Sequence, residues 1–63
     1  MAKAVPQTLL MWIQSNENNE DIVVLTETVS SEPKVGESLW SIGLDRFGRV
    51  ETVLPNMTYV RVG

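Results

Sequence analysis

Apolar and polar residues along the 63-residue chain fall into short alternating runs separated by turn-forming clusters. No window carries a sustained period of 3.6, so nothing in the pattern predicts a helix. Five strands are predicted instead: Thr8 to Gln14, Asp21 to Val29, Glu37 to Ile42, Arg49 to Leu54, and Thr58 to Val62. The breaks between them are rich in Ser, Asn, Gly and Pro, the residues that turns select. They comprise the polar stretch Ser15 to Glu20, the wide loop Ser30 to Gly36, the glycine-bounded connector Gly43 to Gly48, and Pro55-Asn56-Met57. Five short strands in hairpin order predict an all-β fold, a small five-stranded antiparallel barrel forming one domain over residues 1–63.

Register follows from the pattern at the last hairpin. With Pro55-Asn56-Met57 as a three-residue loop, Leu54 faces Thr58, Thr52 faces Val60 and Val50 faces Val62 on one side. The other side pairs Val53 with Tyr59 and Glu51 with Arg61, an opposite-charge pair. A two-residue loop would set Val50 against Arg61 and Glu51 against Val60, so the three-residue loop is expected. The first strand differs from the others. Leu9, Met11 and Ile13 alternate with Leu10 and Trp12, so both of its faces are apolar. A single small barrel has one interior, and the second face needs cover from Met1 to Gln7, from a second copy, or from another protein. The favoured expectation is a protein interface at Leu10 and Trp12, because Trp is enriched where proteins meet.

Composition supports strands and narrows function. Seventeen residues are Val, Ile or Thr, and both alanines precede residue 5. There is no Cys and no His, so disulfides, thiol nucleophiles and histidine bases are excluded, and no metal or cofactor site is expected. No nucleophile–base constellation stands out, so no catalytic residue is proposed and the chain is expected not to be an enzyme. Glu17, Glu20 and Asp21 cluster in an Asn-rich loop that lacks the spacing and glycine of a calcium loop and is expected to be a solvated turn. The five-residue apolar run Leu9 to Ile13 is too short for a signal h-region or a membrane span, and a cytoplasmic location is expected.

Charge is unevenly spread. The net charge is −3, with the first 32 residues strongly acidic and the remainder slightly basic. In the expected register Arg49, Tyr59 and Arg61 share an outer face, with Arg46 beside them. Arginines around an aromatic make a nucleic-acid platform, because bases stack while guanidinium groups hold phosphate. Overall acidity opposes nonspecific phosphate binding, and pairing of Arg61 with Glu51, with Tyr59 laid over Val53, is the favoured reading of that face. Trp40, alternating with Leu39, is expected in the core. Phe47 is expected to plug the barrel end.

Residues 35–63 carry a further pattern: Val35-Gly36-Glu37-Ser38-Leu39, then Gly43-Leu44-Asp45-Arg46-Phe47-Gly48-Arg49-Val50-Glu51-Thr52-Val53, then Tyr59-Val60-Arg61-Val62. This resembles the KOW-type pattern of SH3-like barrels in ribosomal proteins and transcription elongation factors, in which a glycine-bounded basic loop precedes a G-[KR]-V strand start and then V-x-V. Four residues separate Gly43 from Gly48 here, one more than that pattern carries. The resemblance implies an SH3-like barrel and contact with RNA or RNA polymerase. The leading expectation from the whole sequence is a small non-catalytic module acting by protein–protein contact and self-associating, an accessory, assembly or inhibitor protein of a phage or mobile element. The alternatives are an RNA- or DNA-binding KOW-like barrel using Arg46, Arg49, Tyr59 and Arg61, and a minor structural component of a virion.

Overall fold

The structure is a computed structural model, and it describes residues 7–63. It is all-β, with β1 Thr8–Ser15, β2 Asp21–Val29, β3 Ser38–Ser41, β4 Arg46–Leu54 and β5 Met57–Val62. These form one curled, five-stranded sheet in the order β2-β1-β5-β4-β3. Three neighbouring pairs are antiparallel, but β1 runs parallel to β5 from Leu9↔Met57 to Ile13↔Arg61. The sheet is therefore mixed, which corrects the expected antiparallel barrel. Hairpin turns dictate antiparallel neighbours only within the β1–β2 ribbon and the β3–β4–β5 ribbon. The long connection between β2 and β3 lets the ribbons join edge to edge in either sense.

The curl gives the sheet an inner face. Leu10, Trp12, Val50 and Val60 are buried there, with Val24, Leu25, Val29, Leu39, Leu44 and Val62 packed around them. Trp12 is 0% exposed. Leu10 and Trp12 are thus core residues of the isolated chain, and the interface expected at them is corrected. Their side of β1 meets Thr58 and Val60 of β5 and Leu25 of β2, all facing inward. The face left outside carries Leu9, Met11 and Ile13, of which Ile13 is buried beside Arg61 and Val23. Cover of that face by residues 1–6 lies outside the described residues.

Two bulges adjust the pattern. The β1–β2 register shifts between Trp12 and Ile13, leaving Val24 as the extra residue of β2. Both Val24 and Leu25 then reach the core, which is how the unbroken run Ile22-Val23-Val24-Leu25 is accommodated. The β4–β5 ladder shifts between Val50 and Thr52, leaving Glu51 unpaired in the backbone. The turn here has two residues, Pro55 and Asn56, because Leu54 faces Met57. Proline followed by Asn56 at φ 63 is the combination a type II turn requires. The expected three-residue loop is therefore corrected. The bulge at Glu51 restores the inward pairing of Val50 with Val60 that an unbroken two-residue hairpin would have lost.

The sheet edges, β2 and β3, approach across the open side. Ser41 is fully buried; its Oγ donates to Glu27 Oε1 at 2.9 Å and accepts from the Leu44 N–H at 3.1 Å. Gly43 sits against the Leu25 side chain, where an added Cβ would come within 2.9 Å of Cδ2. The β1–β2 loop is a hydrogen-bonded turn built on Asn16, whose Oδ1 accepts from the N–H groups of Asn18 and Glu20. Among the described residues no helix is long and apolar enough to cross a membrane.

Candidate contact faces on the outer sheet

Strand β4 begins at Arg46, three residues earlier than its sequence pattern indicated, and this fixes which side chains face out. Gly48 and Val50 are buried, so the alternate residues Phe47 and Arg49 project from the outer surface. Across the ladder, Phe47 faces Trp40 and Gly48 faces Leu39. Leu39 packs on the core, which leaves Trp40 outside. Trp40 is 48% exposed and Phe47 60% exposed, and their rings meet edge to face with centroids 4.8 Å apart and planes at 68°. This geometry follows the ring quadrupoles and contributes roughly 0.5–1.5 kcal/mol beyond burial. Ile42, 87% exposed, lies two residues beyond Trp40 in the chain. Trp40 was expected in the core and Phe47 in the barrel end; both are corrected to an exposed aromatic corner. Leu39 and Trp40 are both apolar, so their alternation could not say which faced inward. The deciding signal was Ser41, a small residue suited to the closed seam and so placed on the inner side.

Of the four residues expected to form a nucleic-acid face, Arg49, Tyr59 and Arg61 lie on the outer side of the sheet as expected, and Arg46 does not. Arg46 pairs with the buried Ser41 and so lies on the inner side of the alternation. Arg49 lies opposite Arg61 on the outer side, and Tyr59 lies between Met11 and Thr52. Tyr59 therefore does not lie over Val53, which pairs with Thr58 instead. Arg61 uses four of its five N–H donors. Its Nη1 and Nη2 donate to Asp21 Oδ1 and Oδ2 at 2.9 and 2.8 Å, its Nε to Glu51 Oε1 at 2.6 Å, and Nη1 also to Ser15 Oγ at 3.0 Å. The pairing of Arg61 with Glu51 appears as expected, although the bulge brings it about. The bulged backbone leaves Glu51 free to reach the guanidinium.

These contacts set the local electrostatics. The Arg61 hydrogen bonds, and then that from Ser15, hold the Asp21 carboxyl below the ordinary aspartate range, and the two carboxylates push the Arg61 guanidinium further toward its charged form. Arg61 is left with a single N–H, on Nη2, and the two carboxylates on either side of the guanidinium oppose a phosphate there. Lys34, Arg46 and Arg49 make no ion pair among the described residues. Arg49 stands two positions from Phe47 on the same strand face, so the outer sheet presents Trp40, Phe47 and Arg49 side by side. Comparison with known proteins finds no matching family pattern, no similar curated protein and no similar solved structure.

Proposed function

We propose that this chain is a small non-catalytic binding module that acts by protein–protein contact through the corner formed by Trp40, Phe47 and Ile42, with a second copy of itself as the first partner. One observation carries the reading: a large aromatic pair stands exposed on a sheet whose core is filled by other residues. Aromatic side chains gathered at one exposed site are the usual anchors of protein interfaces. Self-association is supported by complementary charge on separate elements of the same molecule. Glu17 and Glu20 sit in the β1–β2 loop, whereas Arg49 stands beside the aromatic corner on its own face. An SH3-like description of the half-barrel is supported by its five short strands, its curl and the KOW-like residues of the second half.

Native mass spectrometry at low salt tests this. Multiples of 7.1 kDa are expected, and Trp40→Lys should return the chain to that mass with its β-rich spectrum unchanged. A wild-type chain that stays at the single mass at every concentration would remove self-association.

A second reading is favoured by the placement of Arg49 beside Phe47 and Trp40, which would let a base stack while the guanidinium holds phosphate. It predicts binding to a single-stranded oligonucleotide that weakens steeply with salt and is lost in Arg49→Ala. Equal oligonucleotide binding by Arg49→Ala and the wild type would end it.

A further inference from the structure

Two hairpin turns project from the same end of the sheet. Strand β5 is central in the order β2-β1-β5-β4-β3, and β1 runs parallel to it. The C-terminal ends of β1 and β5 therefore lie together, and the antiparallel pairings bring the starts of β2 and β4 and the end of β3 to the same place. The β1–β2 loop, residues 16–20, and the β3–β4 turn, residues 42–45, leave this end on opposite sides of β5. The loop exposes Glu17 and Glu20 and is held in shape by the hydrogen bonds to Asn16. The turn exposes Ile42 and leads into Arg46, an exposed residue at the rim where β4 starts. Asp45 offsets Arg46, but Arg49 a few positions on leaves this side net positive against the two glutamates of the other. Neither those glutamates nor Arg46 and Arg49 form an ion pair among the described residues.

From this arrangement we infer that the chain forms a closed two-fold dimer through this end, the β1–β2 loop of each copy lying against the β3–β4 turn of the other. The inference rests on the self-contact reading above and supplies its geometry. A half-turn about an axis normal to the sheet, at the C-terminal end of β5, exchanges the two sides of the sheet. Glu17 and Glu20 of one copy then stand opposite Ile42 and Arg46 of the second, and the same contact recurs with the copies exchanged. Each acidic loop meets the net-positive side, and each Ile42 is withdrawn from water next to the Trp40–Phe47 pair. Had the two elements stood at opposite ends, the same complementarity would have joined copies head to tail and left the assembly open. Because they share an end, association stops at two.

Charge-swapped full chains, followed by native mass spectrometry and analytical ultracentrifugation, test this. The wild type should reach twice 7.1 kDa and nothing larger. Arg46→Glu, and separately the double change Glu17→Lys with Glu20→Lys, should each raise the dissociation constant at least about tenfold, because each sets like charges together in both contacts. All three positions are exposed, so both variants should keep the β-rich spectrum. An equal mixture of the two should recover a dimer holding one copy of each, at close to the wild-type constant, since both of its contacts again pair opposite charges. The inference is overturned if the wild type assembles past two, if either variant dimerises as the wild type does, or if the mixture recovers no dimer. Should Trp40→Lys still dissociate the assembly in those cases, self-contact stands and only its geometry is lost. A wild-type chain that stays at the single mass at every concentration would remove both.

Discussion

At the scale of single residues, the core depends on one glycine. Gly48 lies directly under the indole of Trp12: a Cβ there would collide with Trp12 Cζ3 and lie 2.7 Å from Val60 Cγ1. The widest side chain of the molecule is thus seated on a strand position with no side chain at all, and β4 gives up some strand propensity to make that room. Gly48→Ala is expected to destabilise the fold by about 1–3 kcal/mol through overpacking, measured by denaturant titration. A change near zero would mean that Trp12 is not held against the β4 backbone. This requirement was not legible in advance. The sequence shows a glycine between Phe47 and Arg49, but only the register that places it across from Leu39 and Val62 reveals what sits above it.

At the scale of elements, the outer ends of four strands are tied by one guanidinium. Arg61 on β5 holds Asp21 on β2 and Glu51 on β4, with Ser15 on β1 completing the set. The Asp21 carboxyl is held below its ordinary value by hydrogen bonds from Arg61 and Ser15. A carboxylate with a depressed folded-state pKa stabilises the fold above its ordinary value, near about 4, and that contribution is lost as pH falls through the folded-state value. The wild type should therefore melt above Asp21→Asn at neutral pH, with the gap closing below about pH 4. A gap of unchanged size at about pH 2 would show that the difference comes from something other than this charge.

Elements also mark how far sequence reasoning reached. The bounds of β2 were legible from its turn-rich flanks, and the ends of β1 and β5 shift by a single residue. What escaped was every insertion into the period of two. The bulges at Val24 and Glu51 each place an extra residue that strict alternation cannot represent, so the two-residue turn looked incompatible with the buried valines. The aromatic corner escaped for a different reason. Large apolar residues are expected inside, and Trp12 already occupies the space that Trp40 and Phe47 would need.

At the scale of the whole molecule, closure of the curl rests on side chains. Strands β2 and β3 are linked across the open side through Ser41 and Glu27 and through Leu25 packed on Gly43. Ser41→Ala removes a buried hydroxyl that donates to Glu27 and accepts from the Leu44 N–H, and should cost roughly 1–3 kcal/mol. Hydrogen exchange should localise the effect, with amides of β2 and β3 losing protection before those of β5. Uniform loss over all strands would show that the seam has no separate opening.

The parallel alignment of β1 with β5 also governs the order in which the molecule can form. Strands from near the two ends of the described chain lie side by side, so this pairing must close a loop spanning most of the polypeptide before it returns any contact. Each ribbon alone leaves its apolar face in water: Leu10 and Trp12 in one, Val50 and Val60 in the other. Neither ribbon then has a reason to persist by itself. Folding should proceed in one concerted step on the slow millisecond-to-second timescale of nonlocal β topologies, and a chain cut short after Leu54 should have no stable structure to fall back on.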